Sequence, residues 1–186
     1  MGLLHGKLKL LLCAAAGIIL CIGGWYLLYV NGYLLPGWII WQEKEIVIPG
    51  NPGHLTGTLV LKNRRILYQR DGETVWQSDP AWKISDMEVC DLDHDGWPEV
   101  LALSWTQGDY GDYHPIYENP NMFFYTQRFY VFDLEETALK PQFMSSRLRP
   151  EAHAWQVSDT GEVSLTDKAG KTTVWVWKSW GMKIKE

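Results

Sequence analysis

Met87-Glu-Val-Cys90-Asp91-Leu-Asp93-His-Asp95-Gly96-Trp-Pro-Glu99-Val100-Leu-Ala-Leu-Ser-Trp105 is two apolar runs separated by an acidic loop with Asp-Gly at its centre. Alternating or β-branched residues on both sides of a tight turn predict two antiparallel strands. The same grammar recurs in Leu61–Gln77 around Arg70-Asp71-Gly72 and in Trp155–Thr166 around Asp159-Thr160-Gly161. Further short runs lie at Gly57–Leu61, Arg65–Gln69, Thr74–Gln77, Asp86–Cys90, Val100–Trp105, Arg128–Asp133, Gln142–Ser146, Ala154–Val157, Glu162–Thr166 and Thr173–Lys178. After the N-terminal segment no window of comparable strength carries helical spacing. The expected fold is mainly β, built of antiparallel blade-like sheets. At roughly 40–50 residues per four-stranded unit there is room for about three units. That is short of the roughly four blades a closed propeller needs, so the arrangement is partial, with an edge strand to be covered or shared.

The chain has 186 residues, 46% hydrophobic and 21% charged, with a formal net charge of −5, 17 Gly, 9 Pro, 3 Cys and 11 Trp. Such a composition excludes a disordered or collagen-like chain and a disulfide-built miniprotein, and predicts one domain with a true core. Leu10–Val30 is uncharged over 21 residues, enough to span about 30 Å of hydrocarbon as one helix. His5, Lys7 and Lys9 precede it and no acid occurs before Glu43, which predicts a cytoplasmic N-terminus and export of the remainder. Trp25, Tyr26, Tyr29, Tyr33, Trp38 and Trp41 gather at the far end, as in an interfacial aromatic belt. The expected organisation is therefore a cytoplasmic segment 1–9, a signal anchor 10–30, a membrane-proximal stalk 31–44 and an extracytoplasmic all-β domain 45–186. A cleaved signal peptide ending near Cys21–Gly24 is the alternative, and it leaves the rest of the chain on the same side. Cys13 and Cys21 fall in the apolar run, so Cys90 is left as a small buried hydrophobe with no disulfide partner in the domain.

Charge is unevenly spread. Between Lys83 and Arg128 there is no basic residue, yet nine acids occur: Asp86, Glu88, Asp91, Asp93, Asp95, Glu99, Asp109, Asp112 and Glu118. Either water and distant lysines compensate them or a cation does so locally. From Lys140 onward Lys and Arg outnumber acids eight to five, an excess too small for a nucleic-acid platform.

Asp91, Asp93, Asp95 and Glu99 occupy positions 1, 3, 5 and 9 of the loop, with Gly96 at position 6. Alternate spacing lets the carboxylates converge from one curled segment, and the glycine permits the turn that brings in the Trp97 carbonyl. Hard oxygen donors in that number favour Ca²⁺. An EF-hand is excluded, because position 12 is Ala102, Pro98 interrupts the loop and the flanks are strands. The competing reading is a plain hairpin turn with solvated acids, in which Glu99 begins the second strand and bonds backbone amides across the turn.

Asp91-Leu-Asp-His-Asp-Gly-Trp-Pro-Glu-Val100 resembles the calcium loop of FG-GAP/VCBS-type repeats, the blades of integrin-like β-propellers. Its context resembles small bacterial, membrane-anchored FG-GAP-like proteins of unassigned function: Val75-Trp-Gln-Ser-Asp-Pro-Ala-Trp-Lys-Ile84, Trp105, Gly108-Asp-Tyr-Gly111, Arg128-Phe-Tyr-Val-Phe132 and Trp175-Val-Trp-Lys-Ser-Trp-Gly181. The resemblance implies a calcium-stabilised blade. Two positions depart from it: position 9 is commonly Asp and here is Glu99, and Val157-Ser-Asp159-Thr-Gly161-Glu in the third unit has lost most carboxylates.

Tyr110, Asp112, Tyr113, His114 and Tyr117, with Asp109, form a second candidate surface, suited to stacking on and hydrogen bonding to a sugar or peptide. The competing reading packs these tyrosines on the domain's own sheet. Among the histidines no triad or zinc spacing occurs, and there is no phosphate-binding glycine loop. The expectation is a membrane-tethered binding or assembly module, not an enzyme, with a protein or cell-envelope glycan partner. A structural subunit of a larger membrane complex and, further off, a cell-envelope hydrolase are the alternatives. The small residues Ala14, Ala15, Ala16, Gly17, Gly23 and Gly24 suit packing of the helix on another.

Overall fold

The computed structural model describes residues 2–48, 56–108 and 123–185. Helix α1 (Gly2–Val30) takes in the uncharged run and the basic residues before it, and its Leu11–Val30 portion is long and apolar enough to cross a membrane. Gly32, at φ 75°, takes the left-handed conformation that ends a helix, and the Asn31 side chain donates to the Leu27 carbonyl. Trp25 and Tyr29, one turn apart, stack at 5.5 Å. The chain divides into two compact units, Met1–Gly37 and Trp38–Glu186.

The second unit is built of twelve strands: β1 (Lys44–Ile48), β2 (Gly57–Lys62), β3 (Arg65–Arg70), β4 (Glu73–Gln77), β5 (Lys83–Cys90), β6 (Glu99–Gln107), β7 (Tyr125–Leu134), β8 (Leu139–Met144), β9 (Ala152–Val157), β10 (Val163–Asp167), β11 (Thr172–Lys178) and β12 (Gly181–Ile184). They form three four-stranded antiparallel sheets, β1 to β4, β5 to β8 and β9 to β12, each in plain chain order. Every sequence-predicted strand has a counterpart. β1 and β12 are additional, both short, the second with a lysine among its four residues. The hairpins turn through left-handed residues, including Asn63 and Arg64 (φ 51° and 64°) and Asp71 and Gly72 (φ 51° and 82°), whose twist matches that of paired strands.

The sheets stack on one another, with the second in the middle. Alternate residues of its central strands point to opposite faces. Val100, Ala102, Tyr130 and Phe132 join Leu59, Leu61, Ile66 and Tyr68 of the first sheet in one core. Leu101, Leu103, Phe129 and Val131 join Val163, Leu165 and Met182 of the third sheet in another. Burial on both faces explains why Val100–Leu103 and Phe129–Phe132 are continuous apolar runs instead of alternating ones. Tryptophans fill the margins: Trp76 and Trp82 lie against the first core, and Trp155, Trp175 and Trp177 against the second.

Polar bonds fix the stacking. Asp86 on β5 touches both neighbouring sheets: its Oδ1 lies 2.7 Å from Lys44 Nζ on β1, and its Oδ2 accepts from Trp155 Nε1 on β9 at 2.8 Å. Burial alone pulls the Lys44 ammonium down, but Asp86 and Glu88 outweigh it and the net displacement is upward. Buried Gln127 acts as a short strand substitute, its amide accepting from Ala152 N at 2.6 Å and donating to Ala152 O at 2.9 Å. Residues 38–42, placed by the sequence in the stalk, belong to the β unit. Trp38 stacks on His153 at 3.7 Å, Trp41 lies under the Arg64 guanidinium at 4.0 Å, and Gln42 N donates to Ser85 O.

Leu101 is wholly buried in the middle sheet, whereas Val47 is 68% exposed on the outer face of the first. Leu101→Ala is expected to cost about 2–5 kcal/mol in urea unfolding, and Val47→Ala less than about 0.5 kcal/mol.

Candidate metal centre

The acidic loop, residues 91–98, joins β5 to β6, and its ends are held by the Cys90–Glu99 and Val89–Val100 strand pairs. The first acid, Asp91, lies just beyond one strand and Glu99 is the first residue of the next, so carboxylates eight positions apart flank the neck of the loop. His94 at φ 64° and Gly96 at φ 91° supply the left-handed turns that curl the segment between them.

Side chains then bond the curl from within. Asp91 Oδ2 accepts from Gly96 N at 3.1 Å, Asp93 Oδ1 from Asp95 N at 3.2 Å, Asp95 Oδ1 from Trp97 N at 2.8 Å, and Glu99 Oε2 from Leu92 N at 2.6 Å. The Asp93 and Asp95 bonds, each to the amide two residues on, are Asx-type bonds that Asp makes readily. One carboxylate oxygen from each of Asp91, Asp93 and Glu99 falls within 4.8 Å of the others. Asp95 stands outside this triad, with its Oδ1 on the Trp97 amide and its side chain in solvent. The Trp97 ring is 43% exposed and His94 also points outward.

The electrostatics are those of carboxylates crowded without a counter-charge. Burial raises the Glu99 carboxyl to about 7, the Leu92 N–H opposes the rise, and Asp93, Asp95 and Asp91 add to it. Burial likewise raises the Cys90 thiol to about 12, helped by Glu99, Asp91 and Glu88, so it is a protonated, inert side chain at neutral pH. Asp91 Oδ1 is buried without a hydrogen-bond partner. An orphaned carboxylate oxygen costs free energy unless something positive meets it. Two oxygen ligands at about 2.3–2.6 Å on opposite sides of one Ca²⁺ stand up to about 5 Å apart, so the triad spacing and its all-oxygen donors fit such an ion.

The loop is braced from the third sheet. A Cβ on Gly161, which sits at φ 70° in the β9–β10 turn, would come within 3.2 Å of Leu92 O and 3.4 Å of Asp91 O. Only glycine satisfies both the backbone angle and this approach. The Asp-Thr-Gly turn of the third unit therefore supports the acidic loop of the second, a role that appears in sequence only as a missing side chain. Glu99, a ligand candidate at position 9 of the loop, is only 4% exposed and forms the buried wall of the cluster. Tyr110, Asp112, Tyr113, His114 and Tyr117 lie outside the described residues.

A carboxyl raised on folding favours the native state fully below about pH 4.5 and loses that contribution as pH climbs through about 7. Measured in EDTA, the stability of wild type relative to Glu99→Gln is expected to fall between those pH values. An equal pH profile for the two proteins would show that Glu99 is not buried as described.

Comparison with protein-family models, with curated proteins and with solved structures finds no match for this chain.

Proposed function

We propose that this chain is a membrane-tethered, extracytoplasmic binding or assembly module of the FG-GAP/VCBS repeat type, with a Ca²⁺-stabilised loop, and not an enzyme. The observation that carries the reading is the oxygen triad of Asp91, Asp93 and Glu99 with its orphaned buried Asp91 oxygen. Asp91, Asp93 and Glu99 would hold the ion, Asp95 would keep the loop curled through the Trp97 amide, and Gly161 would hold the loop against the third sheet. The ion supplies the positive charge that relieves three clustered carboxylates. In this reading residues 10–30 are the anchor, and the long apolar helix near the N-terminus supports it. The Lys7 and Lys9 asymmetry supports export of the β unit.

A ligand that binds only the folded state adds RT ln(1 + [L]/Kd), about 2.7 kcal/mol at a hundredfold excess. Extracellular calcium modules commonly bind in the range of about 10⁻⁴–10⁻³ M. The full-length chain in detergent is therefore expected to melt higher in millimolar Ca²⁺ than in EDTA. Asp93→Ala should abolish the rise and His94→Ala should preserve it. Equal melting temperatures for wild type in the two conditions would end the metal reading. Topology is read separately: cysteines placed at Lys7 and Lys178 should label from the cytoplasmic and the outer side respectively, and a cytoplasmic Lys178 would end the extracytoplasmic reading.

A further inference from the structure

A groove of about 590 Å³ runs between residues 142–149 and residues 180–184. Its walls are two sheet edges, β8 of the second sheet and β12 of the third, each paired on one side only among the described residues. Phe143, Trp175 and Met182 supply apolar surface within it. Beside them Trp180 stands 78% exposed at a two-residue turn whose first member, Ser179, is held at φ 60°. The turn thus presents the largest apolar side chain to solvent.

The groove is basic in a chain of net charge −5. Arg147, Arg149 and Lys183 line it, and among the described residues no carboxylate does. Arg147 reaches Glu151 only at 3.8 Å, and Arg149 and Lys183 form no ion pair among the described residues. The main chain adds a third feature. Lys185 N donates to Val174 O, which makes that pair a hydrogen-bonded one in the β11–β12 ladder. By alternation, the N–H and C=O of Met182 and Ile184 point away from β11, toward the open edge.

A row of outward main-chain donors and acceptors, an apolar strip and a cationic rim are the three demands of one occupant. We infer that this groove binds an extended acidic polypeptide segment of a partner, which adds as a strand to the β12 edge with apolar side chains toward Trp175 and Met182 and carboxylates toward Arg147, Arg149 and Lys183. A glycan offers no main chain to the β12 edge, and a bilayer surface is too flat to enter a groove. The inference deepens the binding-module reading by naming its ligand class, and it rests on that reading.

The test is fluorescence anisotropy of labelled acetyl-(Glu-Val)5-amide titrated with the purified full-length chain in detergent, with (Lys-Val)5 and sodium polygalacturonate as comparison ligands. Saturable binding of the acidic peptide is expected, weakened about tenfold or more by Arg147→Glu with Arg149→Glu. Ile184→Pro removes an outward amide without touching a bond to β11, and should weaken the peptide by a similar factor at an unchanged melting temperature. Should that variant unfold, hydrogen exchange replaces it: the Met182 and Ile184 amides must gain protection when peptide is added to wild type. No binding, equal binding of (Lys-Val)5, indifference to the arginine reversals, or capture of polygalacturonate in preference to the acidic peptide would overturn the inference. Any of these with the calcium-dependent melting intact removes the groove alone and leaves the module reading standing.

Discussion

Burial of the middle sheet on both faces is the constraint from which the rest of this structure follows. β6 and β7 each contribute residues to two cores at once, Val100 and Tyr130 to one side and Leu101 and Phe129 to the other. Neither outer sheet has that property. Each outer sheet presents one face to the middle sheet, so neither core exists without it. The three sheets are thus a stack of blades in chain order, and removal of volume from β6 loosens both interfaces together.

Where the middle sheet leaves its cores, it carries the polar chemistry. At one end of β6, Glu99 is the last buried residue before the acidic loop, and its carboxyl is lifted to about 7 because the same packing that buries it leaves Asp91, Asp93 and Asp95 close by. Farther along β5, Asp86 joins Lys44 of the first sheet to Trp155 of the third. The loop is therefore not an appendage. Its neck is a pair of core strands, and its back rests on Gly161 of the neighbouring sheet, so a change in loop charge is felt by two sheets.

The edges of the stack have a different character from its middle. β8 and β12 end their sheets beside each other, and Gly181 is required there because a Cβ would meet the Phe143 ring at 2.9 Å. That approach closes the floor of the basic groove while leaving the β12 backbone open. The acidic loop and the basic groove reflect the uneven charge of the sequence, with acids gathered between Lys83 and Arg128 and bases in excess from Lys140 onward.

Much of this was legible without coordinates. The uncharged run Leu10–Val30 reads as a helix, either a membrane anchor or a signal sequence, since 21 uncharged residues carry no strand punctuation. Turn residues and alternation located the blade-like units, because a strand's period of two and a left-handed Gly or Asp are local properties. The alternate acids of the loop placed several carboxylates close together for the same local reason. What needed tertiary structure were the relations between distant segments. Spacing alone offers four carboxylates, whereas the fold brings one oxygen each from Asp91, Asp93 and Glu99 within 4.8 Å of the others, and Glu99 is turned inward by a strand register no local pattern encodes. Gly161, Gln127 and the β8–β12 groove arise from which sheets meet and how closely. That is decided by side-chain packing across sheets, and nothing in a one-dimensional pattern records it.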